Sequence, residues 1–368
     1  MMANDWAGVV NTTAIHYLKG ASDLTLRDRL VFRRMNEGGR ITYNWDGPEV
    51  QWQVKFSLPE TQAYGGETLD FAPSDKYRKL NLDWRGYISQ DKLTEKERLM
   101  NRGVPQLINR YDAIMKDMRQ SMEDAFSGEI YVNGYATTDR MHGLESFLVD
   151  DGQTASGDKI AVPSTTYAGR LTTPGGEAGI WSSLMTTPPS THLGSDWPNG
   201  QGDPMYDFLS PKLINITSTQ WKTADTTWAD ICHRVIRQGI LWATMTTGRA
   251  GRPDLIVLSQ DLFYDYANFL EPQQRIIIPF KENQEVGTMP GYAYQQEGVE
   301  VTSEFPIAPK TGYILNTKKM EMRCMYPQLF YPRGPEFDLR SMSHLFLMAY
   351  FGNMAFEPKY FGKLFAYA

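Results

Sequence analysis

The sequence predicts an α+β protein, and three stretches carry that prediction. Val50, Trp52, Val54 and Phe56 alternate with Gln51, Gln53 and Lys55, and Leu80, Leu82 and Trp84 alternate with Asn81, Asp83 and Arg85. A period of two puts every second side chain on one face, so each run reads as a half-buried strand and the pair as a long hairpin. Residues 103–128 change to steps of three and four: Leu107, Ile108, Tyr111, Ile114, Met115, Met118, Met122, Ala125 and Phe126 share one face of a helix about 35 Å long. Residues 226–270 then read helix, strand, helix in close order, the pattern of a mixed α/β domain.

Taken in order, residues 1–39 read as an arm. Their apolar residues keep no sustained period, residues 25–35 suit a short helix, and an arm that buries nothing of itself rests on a neighbour. The hairpin follows, with Gly65-Gly66 at its tip. A lone two-stranded ribbon is marginal in water, so it needs a surface to lie on, in its own domain or beyond it. Thr94-Glu95-Lys96-Glu97 is a capping-box pattern that starts a short helix. Pro105 suits the first turn of the long helix, Asp112 and Lys116 have a favourable i,i+4 spacing, and Gly128 suits a left-handed stop. Residues 129–132, EIYV, read as a strand ending at the Asn133-Gly134 turn.

From about 143 to 220 Gly, Ser, Thr and Pro dominate, interrupted by strand-like pieces such as residues 213–217. The helix over residues 226–245, capped by Asp225 or Thr226, shows a stripe of Trp228, Ile231, Cys232, Val235, Ile236 and Trp242. Residues 253–259 form a buried strand, and a helix over 261–270 turns Leu262, Phe263, Tyr266, Phe269 and Leu270 inward. Short strands follow at 299–301 and 312–315, an alternating one at 319–326, and a central one in the apolar run 345–351.

Composition excludes several classes. The 368 residues are 41% hydrophobic, enough for a sizeable core and two or three domains. With 20 Tyr, 17 Phe and 9 Trp the chain favours strands and broad contact surfaces. No apolar run reaches the roughly 18 residues of a membrane span, and no secretory signal is visible. Cys232 and Cys324 form no Cys-x-x-Cys pair, which argues against a zinc knuckle and a disulfide framework. A net charge of −6 without a basic block argues against sequence-specific nucleic-acid binding.

The chemistry-bearing residues form no recognisable constellation. His16, His142, His192, His233 and His344 make neither His-x-x-x-His nor His-Glu-x-x-His. Cys232 and His233 are adjacent on a helix and diverge by about 100°, which rules against a dyad. Residues 248–252, GRAGR, lack the Lys-Ser/Thr ending of a phosphate loop, and no Gly-x-Ser-x-Gly occurs. Asp150-Asp151 reads as a solvated turn. No catalytic, cofactor-binding or metal-ligating residue is assigned, and no enzyme activity is expected.

A hairpin excursion, a long helix, a loop-rich mixed domain and a return through long strands: in this order the chain resembles the HK97-type major capsid protein of tailed bacteriophages, over nearly its whole length. Residues 141–148 (MHGLESFL) and 166–170 (TYAGR) resemble that family's entry to its axial domain. Residues 253–274 resemble the axial strand and helix, 314–320 the passage back, and Phe351-Gly352-Asn353-Met354 with Pro358 the closing strand and tail. The resemblance implies an HK97-like fold: N-arm 1–39, E-loop hairpin 40–90, peripheral domain with spine helix 91–139, axial domain 140–318, peripheral return strands 319–358, and a tail 359–368 returning to the axial domain.

It also implies a shell subunit that forms hexamers and pentamers around double-stranded DNA in a virion assembled in the host cytoplasm, with arm and E-loop lying across neighbours. A portal protein at one vertex, a decoration or cement protein, and DNA contacted without sequence preference are the implied partners, and no membrane. The Lys/Asn/Glu set that cross-links one relative has no counterpart that can be placed here, so no cross-link is expected. Because the hairpin begins by about residue 40, a separate scaffolding protein and no maturation cleavage are expected. The alternatives are an encapsulin-type compartment and a soluble α/β enzyme.

Overall fold

In the computed structural model the described residues are 29–56, 65, 76–100, 110–149, 158–176, 207–221, 227–245, 247–248, 251–270, 277–279 and 292–366. The helices are α1 (Leu30–Glu37), α2 (Glu95–Met100), α3 (Arg110–Glu129), α4 (Trp228–Met245) and α5 (Gln260–Leu270). The strands up to the middle of the chain are β1 (Ile41–Thr42), β2 (Val50–Lys55), β3 (Tyr77–Leu82), β4 (Arg85–Thr94), β5 (Ile160–Ala161), β6 (Thr166–Tyr167), β7 (Arg170–Leu171) and β8 (Lys212–Asn215). Those that follow are β9 (Leu255–Leu258), β10 (Ile277–Pro279), β11 (Tyr292–Gln296), β12 (Val299–Ser303), β13 (Thr311–Leu315), β14 (Met320–Cys324), β15 (Tyr331–Asp338), β16 (Ser343–Phe356) and β17 (Gly362–Phe365).

The smaller sheet grows around β16. Residues 343–352 of β16 pair antiparallel with β4 on one edge, and β15 and then β14 pair along the other. Strand β1 adds to β14 in parallel. The larger sheet has the order β10-β11-β12-β9-β13-β17-β8-β5. The last strand of the chain therefore enters the middle of the larger sheet, antiparallel to β13 and parallel to β8. A two-stranded ribbon, β2 with β3 in register from Val50–Leu82 to Lys55–Tyr77, stands beside these sheets.

The long helix packs on the smaller sheet through a four-residue stripe of Ile114, Met118, Met122 and Phe126. Phe126 meets Phe32, Tyr87, Phe330 and Tyr350 ring to ring at 4.7–6.2 Å. Ala125, expected on this face, is exposed instead. The helix does not stop at Gly128 and no strand follows it. Glu129 is buried and takes the Tyr87 hydroxyl at 2.8 Å and the Arg140 guanidinium at 2.7 Å, which anchors one more helical residue. Residues 130–132 then turn back, with Leu144 N donating to Ile130 O and Gly143 N to Val132 O. A side chain at 143 would meet three carbonyl oxygens at 2.3–2.7 Å, so the close return requires glycine. Residues 103–109, expected as the start of this helix, lie outside the described residues.

Two other expectations change. Residues 85–94 form one ten-residue strand of the smaller sheet, so β4 runs through the division expected at residue 90. Within the arm, residues 30–37 form α1, and Leu30, Val31, Phe32 and Met35 are buried on this same chain. Arg29 adds ion pairs to Glu123 and Asp124 of α3. Residues 1–28 lie outside the described residues. The capping box is present as expected: Thr94 N donates to Glu97 Oε2 at 3.0 Å and Glu97 N to Thr94 Oγ1 at 3.3 Å.

Candidate functional site

Among the described residues the chemistry-bearing side chains are taken up in packing. His142 is buried with its ring 4.3 Å from that of Tyr135, and burial, helped by the nearby Arg85 charge, pushes its pKa down to about 4. His233 stacks flat on Phe269, and His344 lies 3.1 Å from Glu95. His16, His192 and Asp150-Asp151 lie outside the described residues. Cys232 does not face His233: its Sγ contacts Ala229 O at 3.7 Å, and burial pushes the thiol up to about 12. Lys212 is fully buried but holds both Asp207 oxygens at 2.9 Å and Ser210 O at 3.0 Å. No group of three or more His, Cys, Asp or Glu among the described residues could hold a metal ion. Nor is any helix among them long and apolar enough to cross a membrane.

What the surface offers is contact area. The ribbon comes first, and here an expectation is corrected. Its apolar face does not await a neighbour: Val50, Leu80 and Leu82 are buried in this chain's own core. Phe56 packs edge-on against Phe208 at 4.9 Å, Asn81 N donates to Ala168 O at 3.2 Å, and Arg170 Nε to Lys79 O at 3.3 Å. The motif at 166–170 is thus the small β6–β7 hairpin, turned by positive φ at Ala168 and Gly169, and it grips β3. The ribbon lies on its own chain because the smaller sheet and residues 207–210 leave an apolar seat for it. A charge at Trp52 would therefore damage this core before any contact between copies.

Two other surfaces are open. On the smaller sheet α3 covers the face carrying Tyr87, Phe346 and Tyr350. The opposite face presents Ile88 (60% exposed), Leu345 (41%) and Phe351 (38%), which alternate out of β4 and β16. At the end of that sheet Leu99 and Met100 of α2 and Leu339 and Met342 of the β15–β16 turn are all exposed. Thr94, Lys96, Leu99, Met100 and Met342 line a shallow recess there. Sequence reading passed over these residues. The signal was faint: Ile88 stands alone in a polar run, and Leu339 and Met342 are single apolar residues in a turn.

No family model matches the chain, and no curated protein matches its sequence. Solved structures do match its fold. The capsid of a native GTA particle superposes with a TM-score of 0.58 at 8% identity, covering 100% of each chain. The capsid asymmetric unit of cyanophage A-1(L) gives 0.52 at 13% identity, over 95% of this chain and 96% of that one. The holo-SrpI encapsulin complex of Synechococcus elongatus PCC 7942 gives 0.52 at 7% identity, over 99% and 95%. At these identities the likeness is one of fold, over nearly the whole of each chain. The chain has the HK97-like α+β capsid fold.

Proposed function

We propose that this chain is a structural subunit of an icosahedral phage head, and not an enzyme. The observation that carries this reading is the end-to-end match to capsid subunits at full coverage of both chains. The exposed apolar residues gathered on one sheet face support it, because such a patch is the mark of a surface that another molecule covers. In this reading copies assemble into hexamers and pentamers that close a shell around double-stranded DNA, in a virion formed in the host cytoplasm. Residues 1–39 act as N-arm, 40–90 as E-loop, 91–139 and 319–358 as peripheral domain, and 140–318 with 359–368 as axial domain. A separate scaffolding protein, a portal protein at one vertex and a decoration or cement protein complete the partners, and DNA is touched without sequence preference.

The match to an encapsulin complex favours one second reading, a compartment shell that holds protein cargo. Electron microscopy of the purified chain, with and without co-expressed scaffold, tests both. Closed shells or five- and six-fold rings are expected, and nucleic acid rather than a cargo protein inside native particles separates head from compartment. A compact monomer of about 42 kDa under every condition overturns both.

A further inference from the structure

Besides the short link from β3 into β4, the ribbon meets the smaller sheet where β2 crosses β14, and a buried cation sits at that crossing. Arg323 of β14 is 6% exposed. Its guanidinium lies 4.2 Å from the ring centre of Trp45 and 5.4 Å from that of Trp52. Nη1 donates to the Gln51 carbonyl of β2 at 2.8 Å, and Nη2 to Glu321 Oε2 at 2.9 Å. The other oxygen of Glu321 accepts the Thr42 hydroxyl at 3.2 Å, and that hydroxyl accepts Trp45 Nε1 at 2.8 Å. One side chain thus ties together β14, β1, the connection from 43 to 49, and β2.

Stability alone does not account for an arginine here. A buried guanidinium is costly unless every donor is used, and Arg323 Nε has no partner. Met322 and Cys324 on either side are apolar and buried. What arginine supplies is a rigid planar fork that lies between two indoles and bonds a backbone carbonyl in one direction, a geometry lysine lacks. The far end of the ribbon is held separately, through Phe56–Phe208, while Asn81, opposite Gln51, donates to Ala168 O.

We propose that Arg323 is a positioning residue that sets the angle at which the β2–β3 ribbon leaves the smaller sheet, and with it the face that β2 and β3 offer to a second copy. Its consequence for assembly rests on the shell-subunit reading; its geometry does not. Arg323→Lys in the full chain tests it by hydrogen exchange on unassembled protein and by particle diameters on assembled protein. The expected result is exchange about tenfold faster in β2 and β3, the size one lost charge-assisted hydrogen bond supports. Exchange in β9 and β13 stays unchanged, and particle diameters scatter where the unsubstituted chain gives one size. Trp45→Leu, which removes one ring and leaves the fork, shifts both readouts the same way by less, and it decides the matter if Arg323→Lys does not fold. Unchanged ribbon exchange, or an equal rise in both sheets, overturns the proposal. If the unsubstituted chain forms no particles, the shell reading fails while the exchange measurement still decides the clamp.

Discussion

Strand β9 and strand β4 show how differently the two sheets are built. All four residues of β9 are buried: Ile256 and Leu258 pack under α4 and α5, and Leu255 and Val257 face the core shared with Leu144 and Phe147. The larger sheet is thus covered on both faces by its own chain at β9. On β4 burial alternates, with Tyr87 against Phe126 and Ile88 in solvent. The smaller sheet has one helix-covered face, and its other face is covered by the ribbon at β14 and open along Ile88, Leu345 and Phe351. A sheet strand covered on both sides reads as an apolar run, whereas one covered on a single side alternates and leaves apolar residues such as Ile88 free to meet another surface.

The contrast is broken most severely inside the covered sheet. Asp207→Ala strands the Lys212 ammonium at the root of β8 with no exposure to water, and a loss of about 3–5 kcal/mol is expected in urea unfolding of the unassembled chain. Asp207→Leu with Lys212→Met recovers most of it, since the pair is then replaced by apolar volume rather than halved.

Next in size is a pH effect where the two sheets' connections meet. His142 is buried against Tyr135 with Arg85 and Asp83 nearby, and its folded pKa of about 4 lies below its unfolded value. The unfolded chain therefore binds the proton first as pH falls, and stability drops from about pH 6.5 toward 4, by as much as about 3 kcal/mol. His142→Asn removes the titrating group, so the difference in unfolding free energy between variant and parent should change across that window and level off above pH 7. A constant difference would mean that His142 does not titrate there.

Smaller again is the capping box under the exposed apolar cluster. Thr94→Ala is expected to cost about 1 kcal/mol and to fray α2 without disturbing β9, as local amide exchange would show. The smallest effect on folding sharpens the comparison most. Ile88→Asp or Leu345→Asp on the open face is expected to shift unfolding by no more than about 0.5 kcal/mol, yet to abolish assembly into particles. Ile256→Asp on the covered sheet should instead prevent folding. Normal assembly by Ile88→Asp would show that nothing covers that face.

Much of this was legible in the residues. The run Leu255-Ile256-Val257-Leu258 is too apolar for any place but a covered strand, and the stripe Ile114, Met118, Met122, Phe126 admits only a helix with one buried side. The runs at 50–56 and 80–85 read as a ribbon because period two has no helical solution, although the second strand spans Tyr77–Leu82 and ends before Trp84. Thr94 and Glu97 announce their cap because the bond is local. Strand β4 was not legible. Its sequence, RGYISQDKLT, keeps no clean alternation, and ten residues extend only because β16 lies alongside. Helix α3 outruns Gly128 because Arg140 and Tyr87, distant in sequence, hold Glu129.

The chain by itself determined which segments are helix and strand wherever the signal is a period or a neighbouring cap, since those depend on residues a few places apart. Tertiary structure alone decided which faces end up covered. The ribbon's apolar side reads the same whether it rests on its own chain or on another, and only the seat formed by Phe208, Ala168 and Arg323 places it at home. Burial is a property of what lies opposite, and what lies opposite comes from residues hundreds of positions away.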